Sequence, residues 1–123
     1  MAATVEGPDS VALQMKDVPA AAAFFEERLG LRRAPASPPG AVVFSTSPIA
    51  FAVREPLPGV DLDDAARPGL GVALRLRTSD ASALREQLVQ AGTQDVSPLQ
   101  DTPFGLTFSS TGPEGYRLTV HGG

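Results

Sequence analysis

Val11-Ala12-Leu13-Gln14-Met15-Lys16 returns later in the chain as Val72-Ala73-Leu74-Arg75-Leu76-Arg77. The two copies start 61 residues apart, half of the 123-residue chain. In each, large apolar residues alternate with small or polar ones at period two, the pattern of a strand with one buried face. A helix signal follows each copy. Asp17 is a good N-cap, Pro19 suits a first turn, and the run over 20–29 stops at Gly30. In the second half Ser79 or Asp80 caps, Leu84, Leu88 and Val89 carry the apolar face, and Gly92 ends it. Further strand-like segments come next: 31–34, 41–46 and 49–54 in the first half, 93–97, 105–110 and 116–121 in the second. Each half therefore predicts β-α-β-β-β, an α+β fold built by duplication. The Pro- and Asp-rich stretch 56–69 reads as a linker. It joins module one (about 10–55) to module two (about 70–121) within a single domain spanning 1–123.

Composition narrows the function. The length is that of one domain with a real core. There are no cysteines, which excludes disulfides, zinc–thiolate sites and thiol catalysis. His121 is the single histidine, so no two-histidine metal site forms within one chain. Ten basic and 14 acidic residues give a net charge of −4, with a pI near 4.8, and no basic run occurs. Nucleic acid is a poor partner for such a chain. No apolar stretch approaches the ~20 residues of a membrane span, and the start lacks the basic and apolar regions of a signal peptide. A cytoplasmic protein is expected, with no membrane partner.

The strand alternation separates two faces. One carries Val11, Leu13 and Met15, then Phe51 and Val53, Val72, Leu74 and Leu76, Leu106 and Phe108, Leu118 and Val120. It should pack on helices that offer Phe24, Phe25, Leu29, Leu84 and Leu88. The other carries Ser10, Ala12 and Gln14, Ala50 and Ala52, Gly71, Ala73 and Arg75, Thr107 and Ser109, Arg117, Thr119 and His121. Solvated strands are usually more polar than this. So many small residues predict a concavity.

Taken in order, these segments resemble the vicinal oxygen chelate superfamily, which includes glyoxalase I, extradiol dioxygenases and bleomycin-resistance-type drug-binding proteins. The carriers are Val11 to Asp17 followed by Phe24-Phe25 and Leu29-Gly30-Leu31, then Gly71 to Leu76, then Pro103-Phe104-Gly105-Leu106-Thr107-Phe108. The ending Gly112-Pro113-Glu114-Gly115-Tyr116-Arg117-Leu118-Thr119 resembles the family's Asp-Pro-Asp-Gly turn, with Gly112 where Asp is usual. The resemblance implies two βαβββ modules forming a cupped, open barrel around a ligand cavity, in a homodimer. It also implies where a metal enzyme of the family would place its His, Gln or Glu ligands: Ser10, Ala50 or Ala52, Gly71 and Thr119. Glycine and alanine have no donor, and neutral hydroxyls hold divalent metals weakly. No metal and no cofactor is expected.

Other chemistry finds little support. A Ser-His-Asp triad would need His121, near the C-terminal end, and no Gly-x-Ser-x-Gly elbow exists. Asp61, Asp63 and Asp64 lie in the linker, and Glu26 and Glu27 read as the polar side of the first helix. No catalytic residue is assigned. The expected function is metal-free binding of a bulky, aromatic natural product or antibiotic, held by sequestration as in self-resistance. A glyoxalase-like lyase or isomerase of the same fold is the alternative, and a dimeric module with a vestigial cavity is a third reading. Phe104 is the first expected ligand contact, at the start of the seventh strand. Gln14, Arg75 and Thr119 supply polar groups inside the cup. Arg117 and Tyr116 follow, although parity turns Tyr116 toward the helices.

Overall fold

Asp17 and Asp80 begin the two helices in the same way. Asp17 Oδ1 accepts from Ala20 N (3.0 Å), and Asp80 Oδ1 accepts from Ala83 N (2.9 Å). Each satisfies one of the helix-start N–H groups that lack an intrahelical partner. The structure is a computed structural model describing residues 3–64 and 68–123. Residues 65–67 of the expected linker, and 1–2, lie outside the described residues. The first half contains β1 (Ser10–Gln14), α1 (Val18–Glu27), β2 (Arg32–Arg33), β3 (Ala41–Ser45) and β4 (Ala50–Arg54). The second contains β5 (Leu74–Arg77), α2 (Ala81–Gln90), β6 (Gln100–Thr102), β7 (Gly105–Thr111) and β8 (Arg117–His121). Both helices end against a glycine in the left-handed region, Gly30 at φ 73° and Gly92 at φ 78°, where a Cβ would be strained.

The halves form two four-stranded sheets of matching topology, β1-β4-β3-β2 and β5-β8-β7-β6. In each, the strand before the helix runs parallel to the last strand, and the remaining pairs are antiparallel. The β-α-β-β-β order read from the sequence is the order observed.

Three details differ from the sequence reading. First, the structural repeat is 63 residues, not 61. Met15 N donates to Arg54 O just as Thr78 N donates to His121 O, and the caps Asp17 and Asp80 match. Leu13 therefore corresponds to Leu76, not Leu74. Second, β5 starts at Leu74, and Val72, expected on the buried face, is 71% exposed in the preceding loop. Third, residues 93–97 form no strand. Asp95 turns the chain at φ 55°, and only isolated bonds such as Ser97 N to Ser109 O (2.8 Å) reach β7. The ladder partner of β7 is the polar segment Gln100–Thr102.

The large-residue face is buried as the alternation predicts. Phe25 of α1 packs on Phe51 (4.9 Å between centroids, 68°), and Phe44 lies 6.1 Å from Phe51. Leu13, Met15 and Val53 complete this core, joined by Tyr116 and Leu118 of the second half. A second cluster unites Ala81 and Leu88 of α2 with Phe108 and Val120. Phe24, Leu29 and Leu84 are only half-buried. Polar bonds tie the halves together. The Glu114 carboxylate accepts from Lys16 N (2.7 Å) and Asp17 N (2.8 Å), and Tyr116 Oη donates to Gln14 O (2.8 Å).

Candidate ligand-binding face

Both helices lie on the large-residue side, which leaves the other face of each sheet uncovered. On the first sheet that face is built by register from Ser10 and Ala50, from Ala12, Ala52 and Val43, and from Gln14, Arg54 and Ala41. On the second it runs from Arg75 through Thr119 to Ser109, and from Arg77 through His121 to Thr107. One face is therefore small and the other basic and hydroxyl-rich, although both share one topology.

The hairpin between β6 and β7 turns through Pro103-Phe104, which sets Phe104 at its tip. Thr102 Oγ1 accepts from Phe104 N (3.1 Å) and fixes the turn. The ring is 62% exposed. The Arg75 guanidinium lies 4.9 Å from its centroid, a cation–π distance. The His121 ring stands 6.3 Å away at 71°, and its Nδ1 is 3.2 Å from Phe104 O. Thr119 lies beside Arg75 across the ladder. The structure thus brings Phe104, Arg75 and Thr119 onto one sheet face.

The remaining three expected contacts are engaged in bonds of their own. Gln14 is on the first sheet, where its Oε1 accepts from Leu57 N (2.8 Å). Arg117 shares the second sheet's open face but donates through Nη1 to Asp95 O (3.0 Å) and through Nη2 to Ser109 Oγ (2.7 Å). Tyr116 is buried, with its hydroxyl committed to the Gln14 carbonyl, and burial raises its pKa above the usual phenol value. Two residues absent from the expected contacts lie on the same sheet face. His121, near the C-terminal end, sets its ring against Phe104. Arg77 shares the parity of Arg75, and that was the available signal for both.

Two hollows open where β1 and β5 approach. One, of about 410 Å³, is lined by Val11, Leu31, Ile49, Leu74, Arg75 and Arg77, among others. The second, of about 340 Å³, has Ala12, Gln14, Val72, Tyr116 and Arg117 in its wall. Both fall in the range of small-molecule sites.

The donors for a metal do not come together. The corrected repeat makes Ala73, not Gly71, the counterpart of Ser10, and makes Thr119 the counterpart of Ala52. That corner offers two neutral hydroxyls and two side chains without a donor, so its residues do not fit a catalytic metal. Among the described residues no three His, Asp or Glu side chains form a cluster able to hold one. No helix among them is long and apolar enough to cross a membrane.

Solved structures share this architecture. TnmS3, an antibiotic binding protein from Streptomyces sp. CB03234, superposes with a TM-score of 0.76 at 18% identity, over 98% of each chain. The bleomycin-binding protein of bleomycin-producing Streptomyces verticillus, complexed with copper(II)-bleomycin, gives 0.67 at 19% identity, over 98% of this chain and 99% of that one. Lactoylglutathione lyase from Agrobacterium tumefaciens gives 0.68 at 18%, over 97% and 95%. At these identities the likeness is one of fold, and binders and an enzyme share it. No curated protein matches the sequence. The family model of the Glyoxalase/Bleomycin resistance protein/Dioxygenase superfamily matches residues 7–120, and the chain belongs to that superfamily.

Proposed function

We propose that the chain binds an aromatic small molecule, a natural product or antibiotic, and holds it chemically unchanged, as a sequestering resistance protein does. The observation that carries this reading is Phe104. A phenylalanine left 62% exposed at a fixed hairpin tip, with Arg75 across it, offers a stacking surface that folding does not use. The corner where the superfamily's enzymes hold metal offers only two neutral hydroxyls here, which favours holding over turnover. The antibiotic-binding neighbours are consistent with that role. The protein acts in the cytoplasm as a homodimer, a second copy covering sheet faces that one chain leaves open.

A thermal-shift screen against polycyclic aromatic and peptide antibiotics tests the reading, with each hit recovered and examined by mass spectrometry. We expect a stabilising ligand that is returned unaltered. A ligand recovered altered over many turnovers would replace sequestration with a lyase or isomerase activity.

A further inference from the structure

The uncovered faces carry charge of one sign. Five of the chain's ten basic residues stand on them: Arg32 and Arg54 on the first sheet, Arg75, Arg77 and Arg117 on the second. None of the 14 acidic residues occupies a strand position on either open face. Asp101 pairs with Leu106 on the helix side, and Asp95 stays at the rim, where its carboxylate accepts from Thr111 Oγ1 (3.1 Å). Among the described residues the ion pairs are Lys16–Asp63 and Arg33–Glu26, both away from this face. Arg75 and Arg77 have neither an ion pair nor a side-chain hydrogen bond among the described residues. A chain of net charge −4 thus shows its open face as a positive patch.

Arg75 and Arg77 are two residues apart on one strand face, about 7 Å. Their guanidinium groups repel each other with no carboxylate between them. An anion placed there removes the repulsion and gains charge-assisted hydrogen bonds, bidentate for a carboxylate. Arg75 also contacts the Phe104 ring, and a guanidinium stacked on an aromatic face keeps its N–H edge available. We propose that the ligand class is a planar aromatic molecule carrying an acidic group, its ring on Phe104 and its anion on Arg75 and Arg77. This rests on the aromatic-binding reading above and adds charge selection to it.

Three fluorescent probes of one ring system separate the two claims: 2-anthracenecarboxylate, 2-(hydroxymethyl)anthracene and 2-(aminomethyl)anthracene, titrated into the full chain near neutral pH. We expect the carboxylate to bind roughly tenfold more tightly than the alcohol, with the ammonium weakest. Raising the salt to about 0.5 M should shrink that gap. Arg75→Gln should close most of it. Phe104→Ala should weaken all three probes. If the alcohol or ammonium binds as tightly as the carboxylate, with the same dependence on Phe104, charge selection is wrong and the aromatic-binding reading stands. If none of the three binds by about 1 mM, both are wrong.

Discussion

Phe104 and Phe51 are the same side chain put to opposite uses. Phe51 sits against Phe25 and Phe44 in the core, 6% exposed, whereas Phe104 stands at a hairpin tip, 62% exposed. Phe51→Ala should cost about 3–5 kcal/mol of folding free energy, the usual range for emptying a core aromatic site. Phe104→Ala should leave the denaturant midpoint nearly unchanged and weaken binding of an aromatic ligand by about 1–3 kcal/mol, or roughly 5- to 150-fold in Kd. Paired urea melts and ligand titrations check both. Tyr116 gives a pH-dependent test. Burial raises its pKa above the usual value, and its hydroxyl donates to Gln14 O. The folded state thus keeps the proton more tightly than the unfolded chain. The stabilisation is complete below about pH 10 and is lost as pH rises through the higher folded value. Tyr116→Phe should cost about 1 kcal/mol near neutral pH. It should also flatten the alkaline fall in denaturation midpoint that the parent shows, and an unchanged fall would move its origin to another group. The inward placement of Tyr116 was legible from parity, and its hydroxyl partner was not, because Gln14 O belongs to the other half of the chain.

The elements repeat more faithfully than the letters do. The sequence match places the halves 61 residues apart, whereas the helix caps and ladder bonds place them 63 apart. A slip of two preserves strand parity, so the division into buried and open faces survives the wrong register. A slip of one would have turned every side chain over. Leu13 and Leu76 are the true counterparts, and the Val-Ala-Leu match arises because the loop before β5 happens to contain Val72 and Ala73. The missed strand has another cause. Gln100–Thr102 is an edge strand of polar residues, stabilised by its ladder to β7 and carrying no apolar pattern of its own. The caps are the part of each element most plainly written in the sequence. Asp17→Ala and Asp80→Ala should each cost about 0.5–2 kcal/mol, read from chemical denaturation. Asp17→Ala should not disturb Glu114, which reaches the backbone of residues 16 and 17 rather than the side chain.

At the scale of the molecule, the fold was legible because two βαβββ units and their turns appear in order. The candidate site was legible only in part. Composition gives only a net acidic chain of charge −4. Register then gathers arginines onto the uncovered faces and puts the carboxylates elsewhere. Charge summed along a chain carries no information about that segregation. Two expected outcomes belong at this scale. Protein purified in the presence of transition metals should retain none in stoichiometric amount, because Ser10, Ala52, Ala73 and Thr119 offer no adequate donor set. Elemental analysis decides this, and one tightly held metal per chain would contradict it. Sedimentation at tens of micromolar should give a dimer, and a monomer would remove the closure we propose for the open faces. The most direct test of aromatic binding on the uncovered face is amide chemical-shift mapping of the isotopically labelled chain, titrated with 2-anthracenecarboxylate. Shifts centred on Phe104, Arg75, Thr119 and His121, with α1 and α2 unmoved, are the predicted result. Shifts confined to the helix side, or none at saturating probe, would contradict it.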